Sequence, residues 1–149
     1  MIKKHIVLIP LIFFLTNCGF SPIYVKNTNT DFSIENVNYQ GDRELNNFLK
    51  TNLNQYKKEN SDRKILIEAT SEYEKITLTK NAASEVTNYK LIAKVIFLIK
   101  STNKKINITE EKIISSMDDK FEEARKERAT KQNFARSISN KLISELVIN

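Results

Sequence analysis

The sequence predicts an α+β domain: a two-layer sandwich in which a mixed sheet of about four strands carries two helices on one face. Three observations predict it. Strand-like alternation of apolar and polar residues recurs along the chain, two stretches show helical spacing of apolar residues, and their order is β-α-β-β-β-α. With only two helices available, both are expected to cover the same face of the sheet.

The chain starts before the domain. Met1-Ile2-Lys3-Lys4 is a short positive region, followed by an apolar run from Ile6 to Leu15. A run of about ten residues is too short for a permanent membrane-crossing helix, and its flanks fit an export signal. It stops at Leu15-Thr16-Asn17-Cys18, at the only cysteine of the chain. This stretch resembles the lipobox of bacterial lipoproteins. The resemblance implies that residues 1–17 are a signal peptide and that the Cys18 thiol is lipidated, with acyl chains of the palmitate type. Cleavage would leave Cys18 as the acylated first residue. Asn17 departs from the pattern, standing where glycine, alanine or serine is usual. Gly19 stands where an aspartate would resemble an inner-membrane retention signal, which implies the periplasmic face of the outer membrane.

Residues 18–30 form the lipidated N-terminus and a tether, and residues 31–149 the single domain. Gly19-Phe20-Ser21-Pro22-Ile23-Tyr24 is too apolar for a pure linker and is expected to dock on the domain. Phe32, Ile34, Val37 and Tyr39 predict a strand with a bulge or bend between Ile34 and Val37. Gly41-Asp42 marks the turn, and Asp42 can cap the helix that follows. From Arg43 to Lys57, Leu45, Phe48, Leu49, Leu53 and Tyr56 share one helical face. A core-facing helix is the ordinary meaning of that pattern; a membrane-surface helix is the alternative.

Lys64 to Leu78 reads as a strand with Ile65, Ile67, Ala69 and Tyr73 on one side, and Lys80 to Glu85 as its connection. Thr87 to Lys100 is the clearest strand, with Tyr89, Leu91, Ala93, Val95, Phe97 and Ile99 forming an unbroken apolar face. Its other face mixes Lys90, Lys94 and Lys100 with Ile92, Ile96 and Leu98. That face is either a partly covered sheet with lysine stems lying over the isoleucines, or a surface for an amphipathic anionic ligand or a partner protein. Ile106 to Met117 returns as the hairpin partner. Asp118 to Arg128 is a dense run of both charges, expected as a solvated loop or helix start. Beyond it Phe134, Ile138, Leu142 and Leu146 recur every four residues as the second amphipathic helix.

Composition narrows the function. The cleaved chain of about 132 residues is enough for one domain with a modest core. Cleavage also removes His5, the only histidine. Without histidine or free thiol, histidine-based triads, thiol nucleophiles and Cys/His zinc sites are excluded. A carboxylate-only metal site and a two-carboxylate hydrolase built on Glu110, Glu111 or Glu122 are the remaining options, and no spacing places two of these in one cleft. The expectation is therefore a protein that is not an enzyme and has no cofactor or metal. The net charge of +6 falls to about +4 without Lys3 and Lys4, and the Ile, Lys and Asn bias accounts for it without nucleic acid as a partner.

These parts together resemble the lipopolysaccharide-assembly lipoprotein family LptE. The lipoprotein signal, the Cys18-Gly19-Phe20-Ser21-Pro22-Ile23-Tyr24 start, the Asn88-Tyr89-Lys90-Leu91 opening of the long strand and the closing helix Ile138 to Leu146 carry the resemblance. It implies a protein that assembles with and plugs the LptD β-barrel of the outer membrane and aids lipopolysaccharide delivery to the outer leaflet. It also implies basic residues contributing to lipopolysaccharide binding, in the loop between the second and third strands and between the last strand and the last helix. Lys80 and Arg125 align with these, with Lys75 and Lys126 as neighbouring candidates. The alternative is a lipid-anchored accessory subunit of another envelope or transport complex with no lipopolysaccharide role.

Overall fold

The computed structural model describes residues 31–58 and 61–148; the leader, Cys18 and the tether lie outside them. Along the chain run β1 (Phe32–Gly41), α1 (Arg43–Leu53) with a 3-10 turn at Asn54–Tyr56, β2 (Arg63–Lys80), β3 (Val86–Ile99), β4 (Lys104–Ser115) and α2 (Lys120–Val147). The order β-α-β-β-β-α is as expected. The strands form one sheet in the order β1-β2-β3-β4. β1 and β2 are parallel and the other neighbours antiparallel, so the sheet is mixed. The crossover through α1 is what permits the parallel pair, because a short turn cannot reverse the chain twice.

The core lies between the sheet and the two helices, which also pack on each other. Alternation in β3 turns Leu91, Ala93, Val95, Phe97 and Ile99 inward, where all are buried. They meet Leu45, Leu49 and Leu53 of α1 and Phe134, Ile138, Leu142 and Leu146 of α2 within one apolar cluster. Each such aliphatic or aromatic side chain contributes roughly 1.5–3 kcal/mol on burial. In β1 the pairing register slips between Ile34 and Asn36. That bulge keeps Phe32 and Ile34 on the same face as Val37 and Tyr39, as their spacing requires.

Gly41 makes the exit from β1 possible. Its φ is +97°, and a Cβ there would lie 1.8 Å from the Ser71 carbonyl oxygen. The next residue, Asp42, donates its N–H to that carbonyl at 3.1 Å, and its side chain accepts the Leu45 N–H at 2.7 Å. One turn thus ties β1 to β2 and caps α1.

Two boundaries differ from the expectation. β2 runs on to Lys80, so the β2–β3 connection shrinks to residues 81–85. Asn81 makes this tight loop possible by accepting the N–H groups of Ala83 and Glu85 at 3.0 and 2.9 Å. The larger difference is α2. Of the two readings of the charge run, helix start and loop, the helix start holds: residues 120–128 are the first turns of one 28-residue helix that continues without a break into the apolar stripe. Asp119 caps it by accepting the N–H groups of Phe121 and Glu122 at 2.8 and 3.3 Å, and Glu122 and Glu123 favour the positive end of the helix dipole.

Candidate functional surfaces

The basic residues implicated by the resemblance gather at one end of the sheet. Lys80 closes β2 opposite Val86, at the hairpin tip, and is exposed. The end of β4 lies beside it, with the Ser116 N–H donating to the Thr87 carbonyl at 2.8 Å. A groove of about 600 Å³ runs between the two, lined by Asn81, Glu85, Tyr89, Ser116, Met117 and Lys120. Arg125 and Lys126 line a second shallow depression on the other side of Met117. Arg125 therefore sits inside α2 and not between strand and helix as the alignment implies; an early capped start to the helix takes it in.

The four candidates differ in what holds them. Arg125 is exposed and pairs with Glu122 one turn away at 2.8 Å. Such a pair is weak and leaves the guanidinium able to exchange partners. Lys126 is half-buried and Lys80 exposed, so both ammonium groups can meet solvent. Lys75 is different. It points under α2, with Nζ 3.0 Å from Glu123 Oε1 and 2.8 Å from Glu127 Oε2. It also lies over the Tyr89 ring at 4.2 Å. Burial works against its charge, but the two carboxylates overcome this and raise its pKa.

Around Lys75 the structure assembles a polar network that sequence analysis missed. The second Glu123 oxygen accepts the Met117 N–H at 3.0 Å, the Ser116 hydroxyl at 3.0 Å and the Lys120 ammonium at 3.2 Å. The Met117 N–H is the leading cause of a Glu123 carboxyl held down at about pKa 2; partial desolvation opposes it, and Lys75, Lys120 and Ser116 reinforce it. The Tyr73 hydroxyl donates to Glu127 at 3.0 Å, and burial, then that carboxylate, push its pKa up. Lys131, only 7 % exposed, pairs with Glu44 of α1 at 3.0 Å and lies 3.9 Å over the Tyr73 ring. A signal existed in the sequence: stepping back from Phe134 in threes and fours reaches Lys131, Glu127 and Glu123. The stripe that packs the helix continues, but its chemistry changes from apolar to ionic.

The opposite face of the sheet carries no helix or strand among the described residues. Leu66, Ile76, Ile96 and Ile113 are exposed there, Ile113 at 58 %. Lys90 pairs with Glu111 and Lys100 with Glu68, both at 2.6 Å. The face sketched by the even positions of β3 is thus an open mosaic of aliphatic and charged side chains, among them two ion pairs. The three glutamates considered for catalysis lie apart in role. Glu110 faces α2 and bonds Ser137 and Lys141 at 2.7 and 2.6 Å. Glu111 lies on the open face, and Glu122 pairs with Arg125. Among the described residues no group of three or more Asp, Glu, His or Cys side chains could hold a metal ion, and no helix is long and apolar enough to cross a membrane.

Neither the protein-family models nor the curated proteins contain a match to this sequence. Solved structures do match the fold. Rare lipoprotein B from Shewanella oneidensis superposes with a TM-score of 0.54 at 12 % identity, covering 74 % of this chain and 92 % of that one. An uncharacterized lipoprotein B from Nitrosomonas europaea gives 0.55 at 12 % identity, covering 79 % and 86 %. A minor lipoprotein from Acinetobacter baumannii gives 0.51 at 14 % identity, covering 74 % and 94 %. The chain therefore shares its fold with lipoproteins of Gram-negative bacteria, over nearly their whole solved length.

Proposed function

We propose that this protein is an LptE-type outer-membrane lipoprotein, anchored through Cys18 on the periplasmic face, which supports assembly of an LptD-type β-barrel and aids lipopolysaccharide delivery to the outer leaflet. One observation carries the reading. A chain whose leader ends in a lipobox-like Leu15-Thr16-Asn17-Cys18 folds like bacterial lipoproteins with which it shares only 12–14 % of its residues. The Cys18-Gly19-Phe20-Ser21-Pro22-Ile23-Tyr24 start supports the narrower assignment to LptE. The basic end of the sheet supports a role with a phosphorylated lipid, since Lys80, Arg125 and Lys126 can reach phosphate groups without burying a charge. The open sheet face, half aliphatic and half polar, suits the polar interior wall of a barrel better than it suits a lipid core.

The test is affinity purification of tagged protein from detergent-solubilised outer membrane. Co-purification of a large β-barrel protein is expected, and recovery without one would refute the reading. Depletion separates it from a general envelope accessory role. Lipopolysaccharide stalled in the periplasm and a scarce mature barrel are expected; an accessory subunit of another complex would produce neither.

A further inference from the structure

The helix α2 is held down by two different kinds of contact along its length. From residue 120 to 133 the buried side chains are Glu123, Thr130 and Lys131, and Phe121 is 70 % exposed. The Thr130 hydroxyl bonds back to the Lys126 carbonyl of its own helix at 2.9 Å and not across the interface. The first part of the helix is therefore docked mainly by charged contacts: Glu123 and Glu127 on Lys75, Glu127 on Tyr73, Glu123 on Ser116 and Met117, Arg128 on Glu44 and the Phe48 ring, and Lys131 on Asp42, Glu44 and Tyr73. From residue 134 onward it is docked by Phe134, Ala135, Ile138, Leu142, Ile143 and Leu146 in the apolar core.

These contacts respond differently to perturbation. Ionic hydrogen bonds exchange readily with water and weaken with salt, whereas apolar burial does not. Segments with few buried apolar contacts open locally at a lower free energy than the fold as a whole. We propose that residues 120–131 form a latch that undocks from the sheet as a unit while residues 134–146 stay seated. Opening uncovers the Tyr73 and Tyr89 rings and the Lys75 ammonium. Tyr89 already lines the groove between the hairpin tip and Met117, so the latch enlarges that groove into a pocket with two aromatic walls and a cation at its base.

The experiment uses the full chain in non-ionic detergent. Lys131 is the reporter: its ammonium is buried when the latch is closed and can be acylated when it opens. Glu123→Gln touches none of the direct Lys131 contacts and is joined to them only through Lys75, Glu127 and Tyr73, the network that docks the segment. Acylation of Lys131, followed by mass spectrometry, is expected to accelerate about tenfold in Glu123→Gln, the effect of losing a charge-assisted hydrogen bond. Amide exchange across Ile138–Leu146, which needs the whole fold to open, is expected to rise with the loss of global stability but to stay far slower and to depend steeply on urea, whereas Lys131 acylation is expected to be nearly independent of urea. Lys75→Met removes the same pairs from the sheet side and must give the same split. The proposal is overturned if Lys131 acylation is unchanged in both variants, or if it shows the same urea dependence as exchange at Ile138–Leu146.

Discussion

Replacing Glu123 by glutamine takes one negative charge out of the contact between α2 and the sheet while keeping a carbonyl that can still accept the Met117 N–H. In the native protein this carboxyl is held at about pKa 2 against an ordinary 4.5. A depressed carboxylate pKa contributes stability that is fully present above about 4.5 and is lost as the pH falls from there through about 2. The difference between the two values corresponds to roughly 3 kcal/mol at neutral pH, falling to about half of that by pH 3. Solvent screening reduces this, so wild-type protein and Glu123→Gln should differ by about 1–2 kcal/mol in urea unfolding at pH 7, and their stabilities should converge as the pH approaches 2. Two parallel curves, separated by a constant offset from pH 7 to pH 2.5, would refute the electrostatic account and leave a packing defect as the cause.

Three further outcomes are expected. Gly41→Ala forces a Cβ to within 1.8 Å of the Ser71 carbonyl at a φ of +97°; it should cost about 4 kcal/mol or more in urea unfolding, and a loss below about 1 kcal/mol would show that the turn relaxes freely. Lys80→Ala and Arg125→Ala should each leave stability within about 0.5 kcal/mol. Each should also weaken binding of purified lipopolysaccharide about threefold to tenfold, and an unchanged affinity in the double variant would remove these residues from the site. Cys18→Ser should abolish the diacyl or triacyl adduct seen by intact mass and leave residues 1–17 attached; normal processing of that variant would contradict lipidation at Cys18.

The network around Lys75 also changes how the four basic candidates rank. Lys75 is committed to Glu123 and Glu127, and its removal disturbs the seat of α2 before it disturbs any ligand. Loss of function in a Lys75 variant would therefore say little about ligand contact by itself. Lys80 at the hairpin tip, and Arg125 and Lys126 beside Met117, reach solvent and carry no comparable structural role across elements. They are the informative positions for a binding experiment.

Much of the fold is legible in the sequence because local periodicity and burial coincide. The odd positions of β3 alternate without interruption, the slip between Ile34 and Val37 announces the bulge, and Gly41-Asp42 announces both the turn and the cap. The apolar stripe from Phe134 to Leu146 likewise identifies the buried face of the last helix. Where α2 begins was not legible in this way, because residues 118–128 bear charges that solvent would satisfy equally well in a loop. Their helical state depends on Asp119 capping the first turn and on Lys75, Tyr73 and Glu44 lying beneath Glu123, Glu127 and Lys131, partners 48 or more residues away in the chain. Apolar residues disclose their burial through spacing alone, since water rejects them wherever they are. A charged residue is buried only when its counter-charge arrives with it, and tertiary structure alone brings the two together.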